Sequence, residues 1–328
     1  MPEATGRGRF GLFNMRELGV ALALALIVVL FSLLSPYFFN ISNFINIVRQ
    51  VSLLGIIAMG MTLVIVCGEI DLSVGSIYGA AGIAAGVLMV GGHAVGSSVI
   101  LGLAAGVFFG VANGVLVAQV RIPAMIVTLG MMNAARGLAL IFSGGRVVNI
   151  SPRTVKADGL DWFLFMGQGR VGEIPVMSLV FAAVVIAAYF LYHHTLLGFR
   201  MRAVGGSRAA ARASGINDKL VKIAAFGIAG LLSAIAGQLN IAFLGNVQGT
   251  TGQGMELNAI AAVIIGGTTL SGGEGTILGT LIGVLIMGVL NNGIVLLGVS
   301  PFWQMTIIGA VIVGAVAIDK WTRKDAQA

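Results

Sequence analysis

Ten stretches of mostly apolar residues run along the chain, separated by short breaks that hold polar residues or glycines. A helix needs about 20 apolar residues to cross the hydrocarbon of a bilayer, and most of the stretches approach this length. The pattern therefore predicts an all-α polytopic membrane protein with about ten transmembrane helices in one domain, residues 1–328. The expected spans are 18–35, 51–67, 73–90, 95–119, 122–143, 175–193, 220–242, 256–271, 275–297 and 301–318. Of these, 256–271 is short and ends in glycines.

The composition supports this prediction. Hydrophobic residues make up 58% of the chain and charged residues only 9%, with a mean hydropathy of +1.02. A soluble domain would carry about 25% charged residues. The 49 glycines suit helices that pack closely in a bilayer. Cys67 is the single cysteine, so no intrachain disulfide can form.

The basic residues predict the orientation. An even number of spans places both termini on one side, and Lys and Arg accumulate on the cytoplasmic side. A cytoplasmic N-terminus and C-terminus place thirteen of the nineteen basic residues inside. They are Arg7, Arg9, Arg16, Arg121, Arg200, Arg202, Arg208, Arg212, Lys219, Lys222, Lys320, Arg323 and Lys324. The long loop 195–219 is then cytoplasmic, and the long loop 144–174 is periplasmic.

The inner loop 195–219 contains signals for a short helix. Gly205 and Gly206 predict a break, Ser207 can cap a helix over Arg208–Ser214, and Gly215 can end it. One interpretation is a helix that lies on anionic lipid. The other is a helix that docks into a groove of a cytoplasmic motor protein, which its small alanine face favours.

Two glycine-containing breaks carry polar residues. The first, Cys67–Ser76, places Glu69 and Asp71 between apolar stretches, where carboxylates are costly unless they line water or find partners. Asp71 or Ser73 could cap the next helix, or these residues could contact a solute. The second break, 266–275, has a weak sequence similarity to the first. Paired breaks of this kind are typical of a transport pathway.

Other polar positions within or near the spans either bond between helices or line a water-filled path. The candidates for a pathway or capping role are Glu69, Asp71, Ser73, Asn113, Asn133, Arg136, Asn240 and Asn291. In the outer loop 144–174, Trp162, Phe163 and Phe165 belong either to a solvated connector or to a docking surface. Glycines spaced by four, as in Gly102, Gly106, Gly110 and Gly114, predict close helix packing and allow a dimer seam.

Several motifs are absent from the sequence. There is no GxxxxGK[ST] phosphate loop, no HExxH and no GxSxG, so we expect neither an ATPase nor another enzyme. Basic residues are not interleaved with stacking aromatics, which argues against nucleic-acid binding.

These motifs together resemble the integral-membrane permeases of bacterial ABC importers for ribose, xylose, arabinose and galactose-type sugars. The resemblance extends from about Ser42 to Ile318 and is strongest in 68–75, 198–216 and 266–275. One departure is Ser207, where these permeases often have Asn. By resemblance, the residues that receive the ATPase stroke are Gly198, Arg200, Gly205, Gly206, Ser207, Ala210, Ala211 and Gly215.

The resemblance implies a type II-like permease of the bacterial inner membrane that binds no cofactor itself. Its partners would be an ABC ATPase that uses ATP and Mg, a periplasmic solute-binding protein and a second permease copy or sister permease. The solute would be a monosaccharide. Permeases for nucleosides, autoinducers or branched-chain amino acids remain alternatives, as does an ion-coupled secondary transporter.

Overall fold

The computed structural model describes residues 15–300 together with Trp303, Thr306, Gly309, Ala310 and Gly314. The described part is mostly helical, and its strands are pairs of residues that form two short antiparallel ladders. The helices are α1 Met15–Leu34, α2 Ile41–Val66, α3 Val74–Val90, α4 Val95–Val115, α5 Ala124–Ser143, α6 Leu160–Gln168, α7 Val176–His194, α8 Leu196–Gly206, α9 Arg208–Ala213, α10 Asp218–Leu244, α11 Met255–Ile265 and α12 Ile277–Leu296. The strands are β1 Val148–Asn149, β2 Arg170–Val171, β3 Ile174–Pro175 and β4 Asn246–Val247.

Seven of the described helices are long and apolar enough to cross a membrane. They are α1, α2, α4 with the π-helical turn Leu116–Val120 that extends it, α5, α7, α10 and α12. The shorter apolar helices α3 and α11 occupy two further expected spans. The tenth expected span, 301–318, lies largely outside the described residues. The all-α membrane architecture is confirmed, while the number of spans and the orientation stay predictions.

The expected span 256–271 was too long. Helix α11 ends at Ile265, and the chain then turns through Gly266 and Gly267, where Gly267 has a φ of +88°. A left-handed residue cannot continue an α-helix. The glycines at the end of this stretch therefore mark a turn rather than the last part of a span.

Helices α2 and α10 form the centre of the bundle. Every residue of α2 from Leu54 to Val66 is buried, and α10 packs against α2, α3 and α4. Gly106 and Gly110 of α4 face Gly230 of α10 so closely that a Cβ at any of these positions would overlap the opposing backbone. The glycines spaced by four in α4 thus serve packing within the chain.

Loop 144–174 lies at one end of the bundle, where backbone pairing attaches it to the segment after α10. Strand β1 pairs with β4, and the Ile150 amide donates to the carbonyl oxygen of Gly245 at 2.8 Å. Helix α6, which the sequence pattern did not predict, buries Phe163 but leaves Trp162 and Phe165 exposed. This loop therefore packs onto the chain between α10 and α11 and is not an isolated connector.

Candidate coupling site

The loop 195–219, which the sequence predicts to couple to an ATPase and which we call the coupling loop, folds into two short helices. The Thr195 hydroxyl accepts a hydrogen bond from the Gly198 amide and caps α8, and the Ser207 hydroxyl accepts one from Ala210 and caps α9. Gly215, with a φ of +77°, follows α9, and the Ile216 amide returns to the carbonyl oxygen of Ala211 at 2.9 Å. Helix α9 therefore has a defined start and end, although it is only six residues long.

The expected break at Gly205 and Gly206 lies one residue later in the structure. Helix α8 continues through both glycines and ends at Gly206, and the extended backbone of Ser207 separates α8 from α9. Gly205 is required for a packing reason: an added Cβ would overlap the carbonyl oxygen of Val66 and the amide of Gly273. A Cβ added at Gly206 would point into open space.

The three segments singled out in the sequence meet at this point. The Gly273 amide donates to the carbonyl oxygen of Val66 at 2.8 Å. A Cβ at Gly272 would lie 2.8 Å from the backbone of Gly68, and one at Gly273 would lie 2.8 Å from Gly206. We call this contact of Gly68, Gly205, Gly206, Gly272 and Gly273 the glycine junction. It joins the coupling loop directly to the second glycine-containing break, and the contact of Gly272 with Gly68 joins that break to the first.

An ionic network lies beside the glycine junction. Glu69 Oε1 accepts from Arg208 Nη2 of α9 at 2.5 Å and from Lys222 Nζ of α10 at 2.7 Å. The Lys222 side chain is only 5% exposed. Glu69 thus ties α9 to the core, because a buried ammonium needs a paired carboxylate.

A second ion pair holds the other end of α9. Arg212 donates from Nε and Nη2 to the two carboxylate oxygens of Asp218 at 2.9 and 2.7 Å. These hydrogen bonds raise the pKa of Arg212. Bidentate pairs of this geometry are strong and directional, so α9 is fixed at both ends.

Asp71 lies deeper than Glu69 and is fully buried. Its Oδ1 atom accepts from the Ser73 amide at 2.8 Å and the Ser73 hydroxyl at 2.6 Å, and Asn113 of α4 donates to the Ser73 hydroxyl at 2.8 Å. Asp71 therefore shapes the turn before α3, whereas the Ser73 side chain makes no capping bond to that helix. Asp71 Oδ2 and Asn113 Oδ1 have no hydrogen-bond partner among the described residues.

The structure does not bring the remaining pathway candidates into this cluster. Arg136 of α5 donates to the Ser76 hydroxyl at 3.0 Å, and exposed Asn133 bonds the carbonyl oxygen of Leu129 in its own helix. Asn240 is buried in α10 with an unpartnered Nδ2 atom, and Asn291 of α12 is half-buried. No single site holds all the polar candidates.

The coupling candidates divide into packed and accessible residues. Gly198 and Ala211 are buried within the chain, and Gly205 packs into the glycine junction. Exposed to solvent are Arg200, Gly206, Ser207, Ala210 and Gly215. Ala211 was expected to contact a partner, but it packs inward against the bundle, because the residues that flank it hold α9 to α10.

Sequence reasoning missed two interactions. Lys222 was assigned only to the inner side, although it pairs with Glu69 across 153 positions. Its place within the apolar stretch of α10 was the available signal, since buried cations need partners. The second is made by Asn292, whereas the candidate chosen from the sequence was its neighbour Asn291. The side-chain amides of Asn292 and Asn43 exchange two hydrogen bonds, at 3.0 and 2.9 Å. No sequence signal paired these distant amides.

Comparison with known proteins agrees with the helical architecture and the motifs. Residues 43–316 match the family model described as the permease component of branched-chain amino acid transport systems. The ribose import permease of Escherichia coli K12 is 43% identical over 96% of this chain and 97% of its own length. That of Bacillus subtilis is 42% identical over 93% of each chain. The L-arabinose ABC transporter permease of Azospirillum brasilense is 36% identical, covering 99% and 94%.

A solved structure shares the fold at low sequence identity. It shows an inward-facing conformation of a protein described as a metal-chelate type ABC transporter, with a TM-score of 0.50, 12% identity and coverage of 92% of this chain and 99% of that one. This likeness concerns the arrangement of helices alone.

The helical bundle and these comparisons thus define a membrane-spanning permease subunit of an ABC transporter, located in the inner membrane. The chain belongs to the branched-chain amino acid transport permease family, which includes the ribose import permeases among its relatives. A permease of this class works in general with an ATPase and a solute-binding protein.

Proposed function

We propose that this permease carries a monosaccharide inward as part of a complex. Its partners in the complex are an ATPase that hydrolyses ATP with Mg, a periplasmic binding protein and a second permease copy. The relatives named as importers of ribose, L-arabinose and fructose support the solute class. They match over most of the chain and not merely over a shared motif. The binding protein would supply most of the selectivity, because a translocation path must hold its solute weakly enough to release it.

The glycine junction is the observation that carries the proposed mechanism. ATP-driven closure of the ATPases would displace α9 and α8 together. Because Gly205 touches Val66 and Gly273 without intervening side chains, this displacement would reach the end of α2 and the turn between α11 and α12. Packed elements transmit such shifts because they have discrete arrangements. The two permeases would then rock between outward and inward access.

Uptake into proteoliposomes tests the proposal. The permease is reconstituted with its partner ATPase and binding protein, and entry of radiolabelled ribose, arabinose and fructose is measured with internal or external ATP. We expect uptake that requires ATP, requires the ATPase and persists when an uncoupler collapses the proton gradient. An ATPase with its phosphate-loop Lys replaced is the matched control. Uptake by the permease alone, abolished by the uncoupler, would instead indicate a secondary transporter.

The family description favours one second candidate, a branched-chain amino acid. The same vesicles, offered radiolabelled leucine, separate the two solutes. We expect excess unlabelled ribose, and not excess leucine, to compete with sugar uptake.

A further inference from the structure

A pocket of about 250 Å³ opens between the α4–α5 turn and the coupling loop. Its charged walls are Arg121 from the turn, Arg208 and Arg212 from α9, and Lys222, Glu69 and Asp218. Four cations therefore face two carboxylates, a formal excess of two positive charges. The pocket lies against the ion pairs that hold α9, and these ion pairs form without any occupant of the pocket.

The carboxylates of this pocket are already occupied. Glu69 is shared by Arg208 and Lys222, and Asp218 binds Arg212 through both oxygens. Arg121 forms no salt bridge with any described acidic residue, and its side chain is exposed. The surplus charge is thus centred on Arg121, with the half-exposed side chain of Arg208 beside it.

The backbone at Arg121 is unusual. Its φ of +67° makes it the one non-glycine residue with a positive φ in the described part of the chain. It follows the π-helical turn Leu116–Val120 and precedes Ile122 and Pro123. Left-handed backbone at a non-glycine residue and π-helical turns both occur preferentially at functional sites. A glycine would relieve the strain but would remove the cation.

We propose that this pocket, which we call the Arg121 pocket, receives an acidic side chain of the ATPase partner and forms a second anchor beside α9. The inference rests on the proposed function. The ATPase is the occupant that the geometry favours, because one wall of the pocket is α9 itself and two of the cations belong to that helix. An incoming carboxylate would contact Arg121 and the exposed side of Arg208, leaving the three existing ion pairs intact. Charge complementarity of this kind also accelerates encounter and fixes register.

The test measures binding of the purified ATPase to the permease in nanodiscs made only of zwitterionic lipid. We compare wild type with R121G, R121K and R121E. Glycine suits the left-handed backbone, so R121G keeps the fold while it removes the charge. We expect R121G to weaken ATPase binding about tenfold, R121E more, and R121K least, with the difference from wild type shrinking at high salt. The control is R170E, which reverses an exposed charge in strand β2, outside both the coupling loop and the pocket.

Three results would overturn the inference. Equal ATPase affinity of wild type, R121G and R121E refutes the Arg121 pocket and leaves the proposed function standing. Equal losses in R121E and R170E reduce the effect to net charge. Unchanged ATPase binding, with R121E losing affinity for vesicles of anionic phospholipid, assigns the pocket to a lipid headgroup. If the wild-type permease binds no ATPase, the proposed function itself fails. Restoration of R121E binding by one Asp→Lys or Glu→Lys variant of the ATPase would identify the acidic partner.

Discussion

Glu69 is the residue on which the ion network depends. Among the described residues its carboxylate is the one ion-pair partner of Lys222, which is almost fully buried, and it also holds Arg208 at the surface of α9. Removing one member of a buried ion pair leaves an uncompensated charge, which costs more than the intact pair contributes. Glu69 therefore affects the stability of the core and the position of α9 together.

We expect E69A to destabilise the protein by about 3–5 kcal/mol, because Lys222 would remain buried without its carboxylate. Thermal unfolding in detergent measures the loss. The control is E173A: Glu173 is exposed in the turn between β2 and β3, and its replacement should change stability by less than about 0.5 kcal/mol. Equal melting temperatures for E69A and wild type would show that Lys222 does not depend on Glu69.

Asp71 makes a separate prediction, because it is fully buried and serves the turn before α3. D71N keeps an oxygen that can accept from the Ser73 amide, so we expect a stability loss of about 1 kcal/mol or less. D71A leaves the amide without that acceptor and should cost about 1–3 kcal/mol. Unfolding curves of both variants, with sugar uptake measured alongside, test this. A change in the solute profile of D71N would instead place Asp71 in the pathway.

At the scale of elements, the glycine junction replaces side-chain contacts with backbone contacts. Helix α8 approaches the end of α2 and the 272–273 turn so closely that no Cβ fits at Gly205. Contacts of this kind allow little independent movement of the two segments, because closely packed backbones must either move together or separate. The junction can therefore transmit a displacement that flexible side chains would absorb.

Two adjacent glycines of α8 provide a matched pair of variants. G205A should destabilise the protein by about 1–3 kcal/mol and reduce ATP-dependent uptake, because its Cβ would overlap Val66 and Gly273. G206A, which adds the same methyl group into open space in the same helix, should behave like wild type. Unfolding and uptake are measured on both. Indistinguishable behaviour of the two variants would disprove the close approach.

At the scale of the whole molecule, the contacts sort the loops into two ends. The glycine junction and the Arg121 pocket gather residues from 67–69, 121–124, 195–219 and 272–273. The pairing of β1 with β4 gathers residues from 148–150 and 245–247. The first end also carries the cationic coupling loop, so the positive-inside rule predicts that this end faces the cytoplasm.

Cysteine labelling tests this orientation. Native Cys67 is buried and should give little background. We expect a membrane-impermeant maleimide to label G206C only in inside-out vesicles and E173C only in right-side-out vesicles, because both positions are exposed at opposite ends of the bundle. The reverse pattern would invert the topology and remove the coupling loop from any ATPase.

The sequence by itself determined the class of protein and most helix positions. Apolar stretches of membrane-spanning length report burial in hydrocarbon, a property of local composition, and nine of the ten expected spans have a helix at their position in the described residues. Local chemistry also placed the start of α9, because a cap depends on neighbouring backbone amides. Local chemistry did not predict the ends of α8 and α11 correctly. Gly205 of α8 serves close packing rather than a break, and the glycines after α11 form a turn.

Only the tertiary structure decided which distant residues meet. The pairing of Glu69 with Lys222, the junction of Gly205 with Val66 and Gly273, and the inward side of Ala211 all join segments separated by tens to hundreds of positions. No local pattern encodes such partners, because each residue type has many possible neighbours and the packing of the whole bundle selects among them. The physical reason is that hydropathy is a property of one segment, whereas a contact is a property of two.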